Sequence, residues 1–171
     1  MSTILIGYRG CGKTTTGKRL ADRLWQKFVD TDDLVTKVTG KTISQIFDEH
    51  GEARFRELEA EAVKKAMTIE EHVIALGGGA VLDANSRELL RNSKHKRLYL
   101  RCEPDELLKR IQNDPNSATN RPNLTDLAGG IDEIRQILAD REPLYRQVMT
   151  AELDVTSLTP EEAVVRLARM C

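Results

Sequence analysis

The chain has 171 residues, 40% of them hydrophobic and 31% charged, with a formal net charge of −1, which suits one globular domain with its own core. So even a charge balance carries no electrostatic footprint for nucleic acid or an anionic membrane, and no apolar run approaches the roughly 18 residues of a membrane span. Cys11, Cys102 and Cys171 are odd in number and far apart, which argues against a disulfide framework or zinc site and for a reducing cytoplasm.

Thr3-Ile4-Leu5-Ile6 is a short apolar run of buried-strand type. Gly7-Tyr8-Arg9-Gly10-Cys11-Gly12-Lys13-Thr14 follows it and fits G-x-x-x-x-G-K-[ST]. An amphipathic helix carrying Gly17, Leu20, Ala21 and Leu24 on one face comes next. Strand, glycine loop and helix together form the context of a phosphate-binding P-loop. Its glycines let backbone N–H groups converge on phosphate oxygens, and the helix N-terminus adds partial positive charge. Lys13 is placed to reach the β- and γ-phosphates of a nucleoside triphosphate, and the Thr14 hydroxyl to ligate Mg²⁺. Cys11 is expected as a small residue in a tight place. With the motif starting at Gly7, no signal or transit peptide is expected ahead of the first strand.

Phe28-Val29-Asp30 predicts a second strand, then a short helix with Leu34, Val35 and Val38 that Gly40 stops. Trp25 and Phe28 are expected in the core. Thr42-Ile43-Ser44-Gln45 has the form of a capping box opening another helix, with Ile46 and Phe47 inward. From Glu52, Phe55, Leu58, Ala62, Val63 and Ala66 form one stripe. His72–Leu76 predicts a third strand ending in Gly77-Gly78-Gly79. A helix near 85–91 leads to a fourth strand at Arg97–Leu100, and Pro104 opens a helix bearing Leu107, Leu108 and Ile111. Gln112–Gly130 is polar and long enough to suggest a functional loop. Periodicity resumes with Ile131, Ile134, Ile137 and Leu138, and Pro143 is expected to kink or interrupt that helix. Leu153-Asp154-Val155 reads as a last strand, and Thr159-Pro160-Glu161-Glu162 caps a final helix. His50, His72 and His95 show no i, i+4 pairing and are expected at the surface or at strand ends.

Strands alternating with helices imply a parallel sheet covered on both faces, a three-layer α/β/α architecture with ligands at the carboxyl ends of the strands. There stand Asp30 and Asp32. As neighbours at i and i+2 on a strand they would share a face, one serving the metal's water shell and the other a hydroxyl acceptor. Alternatively these aspartates cap the next helix, a role that fits Asp33 best. Gly77-Gly78-Gly79 marks either close approach to bare backbone or a flexible turn. Arg121 lies in the polar loop, as a charge-screening flap residue or a solvated one. Arg56 has Glu59 three residues on, but spacing gives no reason to prefer it to Arg54.

The loop at 10–15, Phe28-Val29-Asp30-Thr31-Asp32, Phe55-Arg56-x-x-Glu59, Gly77-Gly78-Gly79, Arg121-Pro122 and Arg141-x-x-Leu144-Tyr145-Arg146 occur in the order found in shikimate kinases. The chain resembles that family over essentially its whole length. The resemblance implies a nucleoside-monophosphate-kinase-like P-loop fold: one kinase domain over 1–171, a five-stranded parallel sheet, an acceptor region at about 32–60 and a mobile lid at about 112–126. It implies transfer of the ATP γ-phosphate to the 3-hydroxyl of shikimate, in aromatic amino-acid biosynthesis. By motif, Asp32 would hold shikimate hydroxyls and assist proton removal, while Arg56 and Arg141 bind the carboxylate and Glu59 braces Arg56. Gly77, Gly78 and Gly79 would face the substrate, with Gly78 offering its N–H. Gly10, Cys11, Gly12, Lys13, Thr14, Thr15 and Arg110 would bind ATP. Arg121 would be the lid arginine, and Asp30 would support Mg²⁺ through water. Asn113–Asn120 is longer than the usual approach to the lid. A kinase of another small hydroxy acid such as gluconate, a nucleoside-monophosphate kinase, and a non-catalytic nucleotide-binding module are the rival readings. No exposed apolar stripe calls for a partner, so a monomer is expected.

Overall fold

A computed structural model describes residues 1–114 and 130–171. Five strands alternate with helices: β1 (Thr3–Ile6), α1 (Lys13–Leu24), β2 (Lys27–Asp30), α2 (Thr31–Thr39), α3 (Ile43–Ala66), β3 (His72–Ala75), a 3₁₀ turn at Ala80–Leu82, α4 (Ala84–Asn92), β4 (Lys96–Arg101), α5 (Pro104–Asn113), α6 (Ile131–Val148), β5 (Ala151–Asp154) and α7 (Pro160–Ala168). The strands form one parallel sheet in the order β2-β3-β1-β4-β5. With β1 central, the loop that leaves it sits between the loops leaving β3 and β4.

Alternation along the strands divides the core. Leu5, Val73, Leu98 and Leu100 face one layer with Leu20 and Ala21 of α1, Leu107 of α5 and Leu167 of α7. Ile4, Ile6, Ile74 and Tyr99 face the other, with Val63 and Ala66 of α3, Leu90 of α4, and Tyr145 and Val148 of α6. Both faces are apolar because both are covered, as parallel sheets require. A third cluster, Val35, Ile43, Ile46, Phe55, Leu58 and Ala62, joins α2 to α3 beyond the sheet.

The capping signals form as written. Thr42 Oγ1 accepts the Gln45 N–H at 3.2 Å while Gln45 Oε1 accepts the Thr42 N–H at 2.9 Å, and Thr159 and Glu162 repeat the pattern at α7. The two helices read after Gly40 are the two segments of α3, which meet at a kink at Gly51, whose φ of 78° and ψ of 172° are not helical.

Several expectations need correction. Trp25 is not in the core: it is 96% exposed, in the left-handed conformation that ends α1. Val38 is likewise 71% exposed. Pro143 does not interrupt its helix. Proline removes one N–H, but Ile134, Ile137, Leu138, Tyr145 and Val148 all stay buried along α6 and hold it through the gap. The last strand begins two residues earlier than read, at Ala151, and ends at Asp154. His95 stands at a strand end as expected but is buried, its Nδ1 accepting the Ser2 N–H at 3.1 Å.

Candidate functional site

The loop after β1 turns through Gly10 (φ 81°) and Gly12 (φ 95°), positions that side chains rarely tolerate. The turn delivers Lys13 to the first position of α1, where only 8% of it is exposed. Its ammonium donates to the carbonyls of Gly7 (2.7 Å) and Tyr8 (2.9 Å), so it lies inside the loop it closes. Cys11 is buried beneath it. Thr14 and Thr15 stand exposed at the start of α1. A cleft of about 1030 Å³ opens here, lined by Gly10, Gly12, Thr14 and Thr15 on one side and by Arg110, Leu158 and Pro160 on the other. Arg110 is fixed at the rim. It donates to Glu106 (2.9 Å) and to the carbonyls of Val155 (2.8 Å) and Thr156 (3.2 Å).

Strand β2 ends at Asp30, so Asp30 and Asp32 are not strand neighbours on one face. Asp30, not Asp33, caps α2: its Oδ1 accepts the Asp32 N–H at 3.0 Å. Its Oδ2 accepts the Thr14 hydroxyl at 2.8 Å, tying the cap to the P-loop helix. Asp32 sits in the first turn of α2, and both carboxylates are buried. Burial above all, and then the charge on Asp32, pushes the Asp30 carboxyl up from its ordinary range. A Thr hydroxyl and buried carboxylates beside the phosphate loop are the hard oxygen donors that Mg²⁺ takes. No cluster of three acidic, His or Cys side chains able to chelate an ion occurs among the described residues. A magnesium ion would therefore be held mainly by nucleotide phosphates and water.

A second cleft adjoins the first. Arg56, Glu59, Gly78, Gly79 and Arg141 line it, together with Tyr8 and Arg9. Asp32 and Arg9 line both clefts and stand where the two meet. Arg56 donates to Glu59 (2.7 Å), and its remaining edge donates to Glu52 (3.1 and 2.9 Å). Glu59 is almost fully buried; desolvation pushes its carboxyl up and the Arg56 guanidinium pulls it back. Arg54 pairs instead with Glu57 on the solvent side, at 2.7 Å. Arg141, from α6, is 7% exposed.

The triple glycine is where side chains crowd bare backbone. A Cβ on Gly77 would stand 2.5 Å from Glu59 Oε1 and 2.7 Å from Asp32 Oδ1, and one on Gly79 would collide with the Arg56 guanidinium. Close approach, rather than a flexible turn, explains the motif. Arg121 lies outside the described residues, as does most of the lid read at 112–126. Sequence reasoning missed Tyr8 and Arg9, which occupy free positions of the motif and carry no spacing signal. It also missed Glu52, which the i, i+4 rule applied back from Arg56 would have found.

A P-loop on the central strand, a buried lysine within it, and a neighbouring cleft with two arginines define a P-loop phosphotransferase of the small-molecule kinase class. A family profile described as "Shikimate kinase" matches residues 9–171. A shikimate kinase of Rhodopirellula baltica is 38% identical over 165 residues, covering 96% of this chain and 87% of that protein. One from Caldanaerobacter subterraneus is 39% identical over 166 residues, covering 97% and 93%. The solved structure of shikimate kinase from Acinetobacter baumannii in complex with shikimate superposes with a TM-score of 0.90 at 30% identity, covering 99% of this chain and 91% of that one. The chain belongs to the shikimate kinase family.

Proposed function

We propose that this protein transfers the γ-phosphate of ATP to the 3-hydroxyl of shikimate, releasing ADP and shikimate 3-phosphate for aromatic amino-acid biosynthesis. The observation that carries this reading is the position of Asp32, at the junction of a phosphate-binding cleft and an arginine-lined one.

In this reading the P-loop amides of Gly10, Cys11 and Gly12 and the hydroxyl of Thr15 cradle the phosphates, with Arg110 on the adenine side. Arg56 and Arg141 clasp the carboxylate of shikimate, a task suited to planar guanidinium forks. Glu59 braces Arg56. Gly77 lets Glu59 and Asp32 close up beneath the ring, and Gly78 and Gly79 present backbone to it. Asp32 orients the 3-hydroxyl and takes its proton as the oxygen bonds to phosphorus and ADP leaves. Lys13, and Arg121 from the lid, screen charge on the transferring group. Thr14 directly, and Asp30 through water, would hold Mg²⁺ with the nucleotide, and the ion would supply further neutralisation of phosphate charge. Catalysis then rests on positioning and electrostatics.

The whole of 1–171 acts as one kinase domain, with the acceptor region at about 32–60 and the lid at about 112–126. It works as a cytoplasmic monomer, without nucleic acid or membrane as partner. No helix among the described residues is long and apolar enough to cross a membrane. An ADP-release assay with shikimate, gluconate and AMP side by side, under saturating MgATP, tests the reading. Shikimate alone should drive ADP release. Equal or faster release with gluconate or AMP would replace the acceptor. ATP binding without release for any acceptor would make the chain a nucleotide-binding module.

A further inference from the structure

Every carbonyl of the triple glycine is occupied. Gly77 C=O accepts the Ala80 N–H at 3.1 Å and Gly79 C=O accepts the Leu82 N–H at 2.8 Å. The Gly77 N–H is held by Thr31 Oγ1 at 2.9 Å. Gly78 C=O alone is held from another helix, by the Tyr145 hydroxyl at 2.6 Å. Among the described residues, nothing accepts from the N–H of Gly78 or Gly79. A planar trans peptide sets its N–H opposite its C=O. Tyr145, by drawing Gly78 C=O toward α6, therefore turns the Gly79 N–H the other way.

Tyr145 is 1% exposed, and its ring stacks on Tyr99 with centroids 5.1 Å apart. The Arg141 guanidinium, one turn earlier on α6, lies against the same hydroxyl. It is also 3.7 Å from where a Cβ on Gly78 would stand. Burial pushes the phenol up from its ordinary range, so it stays protonated and a donor at working pH.

We propose that Tyr145 is a positioning residue for the acceptor. Its hydroxyl joins Gly78 C=O and Arg141 into one unit, which aims the glycine amides and the Arg141 fork together into the second cleft. The proposal rests on the reading of that cleft as the acceptor site. It separates two functions of one side chain: the ring fills the core, and the oxygen sets the geometry of binding.

The test is Tyr145→Phe in the full-length protein, which keeps ring, burial and stacking and deletes one oxygen. KM for shikimate should rise about tenfold, with kcat within about twofold of wild type and KM for ATP unmoved. Tyr99→Phe, on the other ring of the stack, should leave both KM values as they are. Installing 4-aminophenylalanine at position 145 restores a donor on the same ring, and should return KM for shikimate to within about threefold of wild type. If Tyr145→Phe fails to fold, the amine variant decides: a raised shikimate KM in that folded protein overturns the role. So does an unchanged shikimate KM in a folded Tyr145→Phe, or an equal rise in both KM values. A wild-type protein that releases no ADP with shikimate would instead overturn the functional reading itself.

Discussion

Asp30 performs two tasks that pull against each other. It caps α2 and anchors Thr14, but it does so buried and beside Asp32, so its carboxyl is raised from the ordinary range, first by desolvation. A carboxyl raised in the folded state contributes stability that is fully present below its unfolded pKa, about 3.9, and is lost as pH rises through the folded value. At neutral pH the charge therefore weighs against the fold of the empty protein. Asp30→Asn keeps a cap of equal quality and removes the charge. Its melting midpoint without ligands should exceed that of wild type at pH 8, by about 2–4 °C for each kcal/mol, and the gain should fade as pH falls toward 4. Identical midpoints at pH 8 would mean the charge carries no penalty. Lys13 makes the complementary case. Lys13→Ala should lower kcat by about 10² to 10³-fold or more, while circular dichroism keeps the wild-type helix signal. A folded variant turning over at wild-type rate would remove Lys13 from the mechanism. The P-loop residues were legible because backbone geometry dictates their spacing. Strand alternation was the wrong ground for pairing Asp30 with Asp32, since the chain turns helical at Thr31. The choice between Arg54 and Arg56 was not legible from spacing and came only from the family motif, since two residues apart on one helix differ only in what tertiary packing brings near them.

At the scale of elements, periodicity and caps located the strands and helices of the described chain, because each amphipathic segment must bury a face whatever its neighbours are. What failed was size taken as a guide to burial. Trp25 is large and apolar, yet α1 ends on it with φ 56°, its N–H bonded back to Asp22 and Ala21 carbonyls. That backbone conformation is disfavoured for any side chain with a Cβ and turns this one to solvent. With 96% of the residue already exposed, little packing is lost by removing it. Trp25→Gly should therefore stabilise the protein by about 0.5–1 kcal/mol, read as a higher urea midpoint at unchanged m-value. A lower midpoint would show that the indole contributes more in place than its backbone strain removes. Pro143 carries the same lesson in the other direction: it is a helix breaker by type, and buried residues on either side keep α6 running through it.

For the whole molecule, alternation of strand and helix was enough to predict a covered parallel sheet. The order β2-β3-β1-β4-β5 was not legible, because nothing local states which strands become neighbours. The large exposed apolar residues, among them Trp25, Val38, Leu89 and Val165, are spread over separate elements, so a single species near 19.2 kDa is expected in sedimentation velocity. A species of twice that mass at micromolar concentration would call for an interface that no such spread predicts.

Because β1 and β3 are adjacent, the turns that leave them touch. A Cβ on Gly78 would lie 3.4 Å from both the Gly7 carbonyl oxygen and the Arg9 nitrogen. In the proposed reading one floor underlies both reactants, and a lineage drifting toward a different alcohol would have no room to remodel it without disturbing its grip on the nucleotide. The α2–α3 hairpin, by contrast, packs on its own apolar cluster and kinks at Gly51. Divergence in what this scaffold phosphorylates would thereby be channelled into that hairpin, with the ground beneath it left fixed.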